Sequence, residues 1–248
     1  MFRILLFLLI IQSYFAFEVS NKKILFFPLQ ITYNDPLPVD LYSDFTDCLS
    51  SKGFDIQRSF ASTDKDCNYL NKLNENNHSI TLMSHSTGVN NLFKVCNQFE
   101  NIDNIVIIDP ILLANKEDKF EFNDDFEEFI NDLIESDKFS LLKDMVFKKD
   151  NKKFLELKNV NKILYVSSKK SSRWKILPPV PPIKRFFLDY KLIKNNNKSL
   201  LTIPEYGHFD ILDAQWANII HSSISKGTNN RDEVEFYHEE IAKVIEEL

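Results

Sequence analysis

Residues 80–89 have the sequence ITLMSHSTGV. The first four residues have strand character, and the last six contain the pattern Ser-x-Ser-x-Gly, centred on Ser86. Residues 90–95 follow with apolar side chains at helical spacing. A serine on a sharp turn between a strand and a helix is a nucleophile elbow, which raises the serine Oγ above the edge of a sheet. By itself the pattern fits a nucleophile and a plain structural turn equally well, because Ser84 occupies the place of the usual first glycine.

Strands and helices alternate on both sides of this segment. Apolar or alternating runs predict strands at 24–27, 54–60, 80–83, 105–108, 162–166 and 200–203. Helical spacing predicts helices at 39–51, from Ser62 onward, at 90–95, at 185–194 and at 232–248. Gly53 is placed where the end of a helix favours positive φ. The alternation predicts an α/β fold with a reduced, mostly parallel sheet of about six strands and helices on both faces.

Two segments do not fit this alternation. Residues 1–16 combine Arg3 with an apolar run at 4–11 that is shorter than the roughly 20 residues of a membrane span. They predict a signal peptide, with an uncleaved anchor as the alternative, and hence a protein that is secreted or lies in the lumen of the secretory pathway. Residues 112–161 predict a helical, lid-like insertion, or else further core helices. The rest, 17–248, predicts a single domain.

Composition excludes some partners and cofactors. The formal net charge of -6 argues against a nucleic-acid partner, which requires a basic face. The cysteines Cys48, Cys67 and Cys96 are too few for a disulfide framework, and the sequence does not choose a pair. Asn77 and Asn197 begin glycosylation sequons, as expected of a secreted protein. The histidines lack metal-ligand spacing, so no metal site is predicted.

Three side chains with complementary chemistry follow predicted strands. Ser86, Asp109 and His208 come at the ends of three strands, and the carboxyl ends of parallel strands share one edge of a sheet. A serine hydroxyl needs an imidazole to accept its proton, and a carboxylate holds that imidazole in one tautomer. Asp210 and Asp213 are alternative carboxylates, although both also suit the cap of a helix that begins near Ile211. The sequence therefore predicts a Ser86–His208–Asp109 catalytic triad.

Acyl transfer also needs N–H donors for the oxyanion. One is predicted at Thr87, directly after the nucleophile. The other is expected in the loop after the first strand, at Leu29 or Gln30. His85, the variable residue of the elbow, is assigned no chemistry.

Four segments carry a resemblance to a known family. They are 84–88 (SHSTG), 107–110 (IIDP), Trp174 with 178–181 (PPVP), and 206–213 (YGHFDILD). Together they resemble the chlorophyllase family of α/β-hydrolases, and the similarity extends from about residue 23 to residue 213. The resemblance implies the α/β-hydrolase fold, the triad Ser86, Asp109 and His208, and hydrolysis of carboxylic esters without metal or cofactor.

The sequence departs from that family in its oxyanion loop. The family has His-Gly-aromatic after its first strand, but this chain has Pro28-Leu29-Gln30. Proline has no N–H, and Gln30 aligns with the aromatic position, so Gln30 is the predicted second donor. These departures put the oxyanion geometry and the substrate in question.

The sequence thus predicts a secreted serine hydrolase that cleaves a hydrophobic or lipid-like ester as a small-molecule substrate. A non-catalytic binding protein with a hydrolase fold is the alternative from another class, and a lipase acting at interfaces is a third reading. The sequence leaves the oligomeric state undetermined.

Overall fold

The computed structural model describes residues 22–29, 41–111, 155–157, 160–170, 190–217, 227–228 and 230–248. The predicted signal peptide, Gln30, most of the predicted insertion, and Trp174 with 178–181 lie outside these ranges. Within them, no helix has both the length and the apolar character needed to cross a membrane.

Strands and helices alternate as the sequence predicts. The strands are β1 (Lys22–Phe27), β2 (Asp55–Arg58), β3 (Ser79–His85), β4 (Ile102–Ile108), β5 (Leu155–Glu156), β6 (Val160–Ser168), β7 (Ile193–Lys194) and β8 (Lys198–Ile203). Within the described ranges, the helices with both ends defined are α1 (Ser43–Ser51), α2 (Thr63–Glu75), α3 (Val89–Cys96) and α4 (Arg231–Glu246), with short 3₁₀ turns at Ser86–Gly88 and Tyr190–Leu192. Residues 214–217 are also helical.

The main sheet has six strands in the order β2-β1-β3-β4-β6-β8. All neighbours within it are parallel, and β5 pairs with β7 in a separate two-stranded sheet. Because β2 lies on one side of β1 and β3 on the other, the strand order reverses between β1 and β3. The carboxyl ends of strands at such a reversal are where ligands bind in open α/β sheets.

Apolar side chains cover both faces of the central strands. On one face, Phe26, Met83 and Val106 belong to a buried cluster that includes α1 and α4 residues. On the other face, Leu82 and Ile105 belong to a cluster that includes residues of α2 and α3. Alternate residues of one strand therefore enter different cores, which explains the continuous apolar runs of these strands.

This parallel sheet, with helices on both faces and Ser86 on the turn that leaves β3, has the architecture of the α/β-hydrolase fold. The predicted fold class and the estimate of about six strands are confirmed. Gly53 has φ +83, as predicted for the residue after a helix.

Three local predictions differ from the structure. The helix predicted at 39–51 begins at Ser43. Ser62 is the N-cap residue of α2, but its side chain makes no capping hydrogen bond. The described part of the helix predicted at 185–194 is a 3₁₀ turn followed by β7, because pairing with β5 overrides the local helical spacing.

Candidate active site

The elbow serine has the backbone strain of a tight strand-to-helix turn. Ser86 has φ 56, in the left-handed region that side chains other than glycine rarely adopt. Among the described residues other than glycine, positive φ occurs only at Ala61, Asn77, Ser86 and Asp109. Two of these four are predicted catalytic residues, and strained backbone of this kind concentrates at functional sites.

Gly88 is required at the elbow by a close approach of the backbone. A Cβ at this position would lie 2.2 Å from the carbonyl oxygen of Phe27 and 2.5 Å from that of Pro28. The end of β1 and the start of its following loop therefore pass directly against the elbow. This contact puts the segment predicted to carry the oxyanion donor next to Ser86.

Ser84 replaces a glycine without preventing the turn. Its residue is fully buried between Phe27 and Ile107 of the neighbouring strands. Its Oγ atom is buried and makes no hydrogen bond. The elbow therefore accommodates the hydroxyl but gives it no partner.

Ser86 and His208 are brought together as predicted. The distance between Ser86 Oγ and His208 Nε2 is 2.8 Å, and both residues are buried. Burial, and secondarily the electrostatic interaction with the neighbouring His85 ring, holds the pKa of His208 well below the ordinary 6.5. His208 is therefore neutral at pH 7, so that its Nε2 atom can accept the hydroxyl proton of Ser86.

Asp109 lies at the same sheet edge, at the end of β4. It is buried, its φ is 42, and its backbone N–H donates to the carbonyl of Val166. Its Oδ1 atom accepts the N–H of Ser168 at 2.8 Å. A hydrogen bond from His208 Nδ1 to Asp109 is not formed between these two described residues. The structure thus places the predicted acid beside the end of β6 without joining it to the imidazole.

The two alternative carboxylates have structural contacts of their own. Asp210 accepts the backbone N–H groups of Gly207 at 2.6 Å and Thr228 at 3.2 Å, which closes the turn around His208. Asp213 accepts the N–H of Asp44 at 2.9 Å and the hydroxyl of Ser43 at 2.5 Å. Asp213 therefore caps the N-terminus of α1, a different helix from the one that the sequence suggested.

The loop after β1 narrows the choice of oxyanion donors. The backbone N–H of Leu29 donates to Tyr42 Oη at 3.0 Å. That donor is already engaged, so of the two alternatives in this loop only Gln30 remains, and it lies outside the described residues. Thr87, the other predicted donor, is buried at the start of the elbow turn.

A side chain missed by the sequence reasoning connects the elbow to the segment after Asp109. The amide of Asn90 donates to the carbonyls of Thr87 at 2.7 Å and Ile111 at 3.0 Å. The N–H of Ile111 donates in turn to the carbonyl of Ser86 at 3.1 Å. These bonds fix the nucleophile turn relative to the residues that follow Asp109.

Side chains of helix α4 lie within hydrogen-bonding distance of residues around the site, and no local sequence pattern predicted these contacts. Its Tyr237 Oη is 2.6 Å from the hydroxyl of Ser168, and its His238 Nε2 is 3.1 Å from the carbonyl of Asp210. Burial lowers the pKa of His238 to about 4, so this ring is neutral at pH 7. The one available signal was Ser168 itself, a polar residue just after the apolar run of β6.

His85, to which the sequence reasoning assigned no chemistry, contacts the catalytic candidate. It is fully buried, and its ring lies 4.7 Å from the ring of His208 between centroids. In the described part of the chain, no group of three His, Cys, Asp or Glu side chains is arranged to hold a metal ion.

Comparison with solved structures finds ester-cleaving enzymes at low similarity. The esterase domain of a Rhodothermus marinus protein is 11% identical over 94% of this chain and 89% of that one, with a TM-score of 0.48. The monoacylglycerol lipase of Paleococcus ferrophilus is 12% identical over 92% of this chain and 95% of that one, with a TM-score of 0.46. Carboxyl esterase 2 of Tuber melanosporum is 12% identical over 91% of this chain and 79% of that one, with a TM-score of 0.47.

No protein-family model and no curated protein sequence matches this chain.

Proposed function

We propose that this chain is a serine hydrolase that cleaves carboxylic esters through a covalent acyl-enzyme. The observation that carries the proposal is the 2.8 Å contact between Ser86 Oγ and the buried Nε2 of His208. It joins a hydroxyl on a strained elbow to a neutral imidazole at the carboxyl edge of a parallel sheet. Those are the conditions under which a serine becomes a nucleophile near neutral pH.

The proposed reaction has two acyl-transfer steps. Ser86 Oγ attacks the ester carbonyl carbon while His208 Nε2 takes the hydroxyl proton. The tetrahedral intermediate collapses, and His208 returns the proton to the alcohol that leaves. Water then attacks the acyl-enzyme, again losing its proton to His208, and the acid is released as Ser86 regains its hydroxyl. N–H groups at Thr87 and Gln30 would stabilise both oxyanions.

Asp109 is proposed as the acid that orients His208. Its support is its place at the end of β4, its burial and its left-handed backbone. In proteins without substrate, catalytic hydrogen bonds are often long and tighten only in the substrate complex. The N–H of Ser168 holds one oxygen of the Asp109 carboxylate. This bond restricts the movement of the carboxylate toward His208 that such tightening requires.

Labelling with a fluorophosphonate probe tests the proposal. Ser86 Oγ would displace fluoride from the probe and remain bound to phosphorus, which gives a stable mass increase on the peptide that contains Ser86. Ser86→Ala should lose all labelling, and Ser84→Ala, which removes a neighbouring hydroxyl that touches no partner, should keep it. An intact protein that does not label would contradict the proposed enzyme.

A non-catalytic binding protein with this fold is the second candidate. The observation that favours it is the engagement of the Leu29 N–H by Tyr42, which removes one donor from an oxyanion loop already altered by Pro28. Reversible binding of a hydrophobic ester, with no labelling and no turnover, would support this alternative.

The proposed substrate is a hydrophobic or lipid-like carboxylic ester, as the resemblance to the chlorophyllase family suggests. The resemblance of the Ser86 and His208 segments to chlorophyllases supports it. A series of p-nitrophenyl esters of increasing chain length measures this preference. A rising kcat/KM with chain length is expected, and a preference for acetate over every longer ester would contradict the substrate class.

Secretion and glycosylation complete the proposal. Asn77 and Asn197 are exposed; Asn77 lies two residues before β3 and Asn197 directly before β8, so glycans there would lie at the opposite edge of the sheet from Ser86. Expression of the full chain in a eukaryotic secretory system should give a protein in the medium that loses mass with an N-glycosidase. Asn77→Gln and Asn197→Gln should each remove one glycan, and retention of the protein inside the cells would contradict secretion.

A further inference from the structure

His85 makes a hydrogen bond with each of its ring nitrogens. It is the last residue of β3 and directly precedes the nucleophile. Its Nδ1 atom is 2.8 Å from Tyr42 Oη, and its Nε2 atom is 2.9 Å from the backbone carbonyl oxygen of His208. The side chain therefore joins two segments that flank Ser86.

The direction of each hydrogen bond follows from the donor inventory. A carbonyl oxygen can only accept, so His85 must carry its proton on Nε2 and donate to His208. Nδ1 of the neutral ring then accepts the hydroxyl proton of Tyr42. The oxygen of Tyr42 in turn accepts the N–H of Leu29 at 3.0 Å. The resulting series of hydrogen bonds runs from Leu29 through Tyr42 and His85 to His208, and the donor of each bond is assigned.

Burial keeps the side chains of this hydrogen-bond series in one protonation state. His85 and Tyr42 are both almost completely inaccessible to solvent. Burial lowers the pKa of His85 to about 3, so the ring stays neutral across the physiological range. A neutral ring with one donor and one acceptor is the only form that satisfies both partners.

Packing adds to the hydrogen bonds. The ring of Tyr42 meets Phe26 of β1 edge-on, with centroids 5.0 Å apart. It meets His85 in the same way at 5.8 Å. His85 also lies against the ring of His208. Tyr42 and His85 together thus contact β1, strand β3 and the loop that carries His208.

We propose that Tyr42 and His85 are positioning residues that fix the His208 loop and the segment after β1 relative to Ser86. The inference rests on the proposed function, because it assigns His208 as the base and the segment after β1 as the carrier of an oxyanion donor. Neither residue would touch the substrate. Each would act through the backbone that it holds, which matters because small displacements of catalytic groups are costly to the rate.

Tyr42→Phe tests the part of this hydrogen-bond series that lies on the β1 side, between Leu29 and His85. It removes the proton that His85 Nδ1 accepts and the oxygen that binds the Leu29 N–H, but retains the ring that packs on Phe26. Tyr190→Phe is the matched control, since it also removes a hydrogen-bonded tyrosine hydroxyl, one that donates to the backbone carbonyl of Lys198 at 2.9 Å and lies away from Ser86. We expect kcat for a p-nitrophenyl ester to fall about tenfold in Tyr42→Phe with KM unchanged. Tyr190→Phe should keep the wild-type kcat even if it lowers the melting temperature.

Substitutions of His85 separate the two hydrogen bonds. His85→Gln retains an N–H donor for the His208 carbonyl but lacks the ring acceptor for Tyr42, so its kcat should fall, but by no more than that of Tyr42→Phe, which also loses the bond to the Leu29 N–H. The double variant should lose no more than Tyr42→Phe alone, because both changes break the same Tyr42–His85 bond. His85→Leu breaks both bonds and should lose about a hundredfold in kcat. Equal activity of His85→Leu and His85→Gln would overturn the role given to the His208 contact.

Nuclear magnetic resonance of ¹⁵N-labelled histidine provides a readout that does not depend on catalysis. In the wild-type protein His85 should carry its proton on Nε2 and show a hydrogen-bonded, slowly exchanging resonance. Observation of the Nδ1–H form overturns the inference, even if a Tyr42 variant fails to fold. A wild-type protein that neither labels nor hydrolyses esters rejects the proposed function instead. A wild-type protein that is active, with identical kinetics in Tyr42→Phe, rejects the positioning role alone.

Discussion

At the residue scale, Ser84 illustrates how a serine in place of the usual glycine is tolerated at an elbow at a cost. A glycine is usual here, and the chain instead buries a hydroxyl that makes no hydrogen bond. Such a group loses its hydration without compensation, which costs about 1–3 kcal/mol. The elbow forms nevertheless, because the close backbone contact falls on Gly88 and not on Ser84.

Ser84→Ala should therefore stabilise the protein by about 1 kcal/mol, since the methyl group keeps the packing and removes the unsatisfied oxygen. Urea unfolding at pH 7 measures the change as a higher midpoint with an unchanged slope. Ser51→Ala, at an exposed helix end, is the control and should stay within about 0.5 kcal/mol of wild type. A destabilised Ser84→Ala would mean that the hydroxyl has a partner that matters.

Asp109 and Asp213 provide a second contrast between residues of one type. Both are buried carboxylates near the site, but Asp213 holds the N-terminus of α1, 169 residues away along the chain. Asp109→Asn should lower kcat about ten-thousandfold, by analogy with loss of the orienting acid in serine proteases. Asp213→Asn should retain kcat but lose about 1 kcal/mol of stability through the weakened cap. Ester kinetics and thermal unfolding of both variants decide the assignment, and the reverse pattern would make Asp109 structural.

At the element scale, the junction between β1 and the elbow determines the geometry of the site. Phe27 is the last residue of β1, and its register partner on β3 is Ser84, two residues before Ser86. The turn then brings Gly88 against the carbonyls of Phe27 and Pro28. The start of the loop that is proposed to supply an oxyanion donor thus lies in backbone contact with the elbow.

Gly88→Ala tests this close approach. Its Cβ would overlap backbone at the buried end of β1 and at Pro28, so the strand or the elbow must shift, at a cost of about 1–3 kcal/mol or more. Gly53→Ala is the matched control: its φ of +83 is unfavourable for alanine, but nothing lies within 4 Å of the added atom. It should cost about 1 kcal/mol and leave ester hydrolysis unchanged. Similar stability and activity of the two variants would show that the approach at Gly88 is not tight.

At the scale of the whole molecule, three buried histidines make stability depend on pH. Burial lowers the pKa of His85 to about 3 and that of His238 to about 4, and it holds the pKa of His208 well below 6.5. Between those values and 6.5, the unfolded chain binds protons that the folded chain excludes. The stability that these neutral rings contribute is therefore complete above pH 6.5 and is lost as the pH falls below it.

We expect the free energy of unfolding to fall between pH 6.5 and 5, by at most about 1.4 kcal/mol per pH unit for each histidine. Urea unfolding at several pH values in this window, above the main titration range of carboxyl groups, measures the slope. His238→Gln should reduce the slope by about one proton, because glutamine keeps an N–H donor for Asp210 but does not titrate. A wild-type stability that is flat across this window would contradict the buried neutral rings.

Much of the architecture was predictable because it is encoded in short segments. The apolar runs of β1, β3 and β4 specify strands buried on two faces, and the positions of Ser86, Asp109 and His208 after strands place all three at one edge. Helical spacing failed at Tyr190–Leu192, where pairing of the next residues with β5 decided the structure.

The sequence by itself determined the α/β sheet, the elbow and the order of the candidate residues, because each depends on periodicity or turn chemistry within about ten residues. Only the tertiary structure decided that Tyr42 bridges Leu29 and His85, that Asp213 caps α1, and that Ser168 holds Asp109. These contacts join residues from different strands and loops whose spacing along the chain carries no period. They form because the sheet brings strand ends together, so burial and hydrogen bonding then select partners that no local pattern marks.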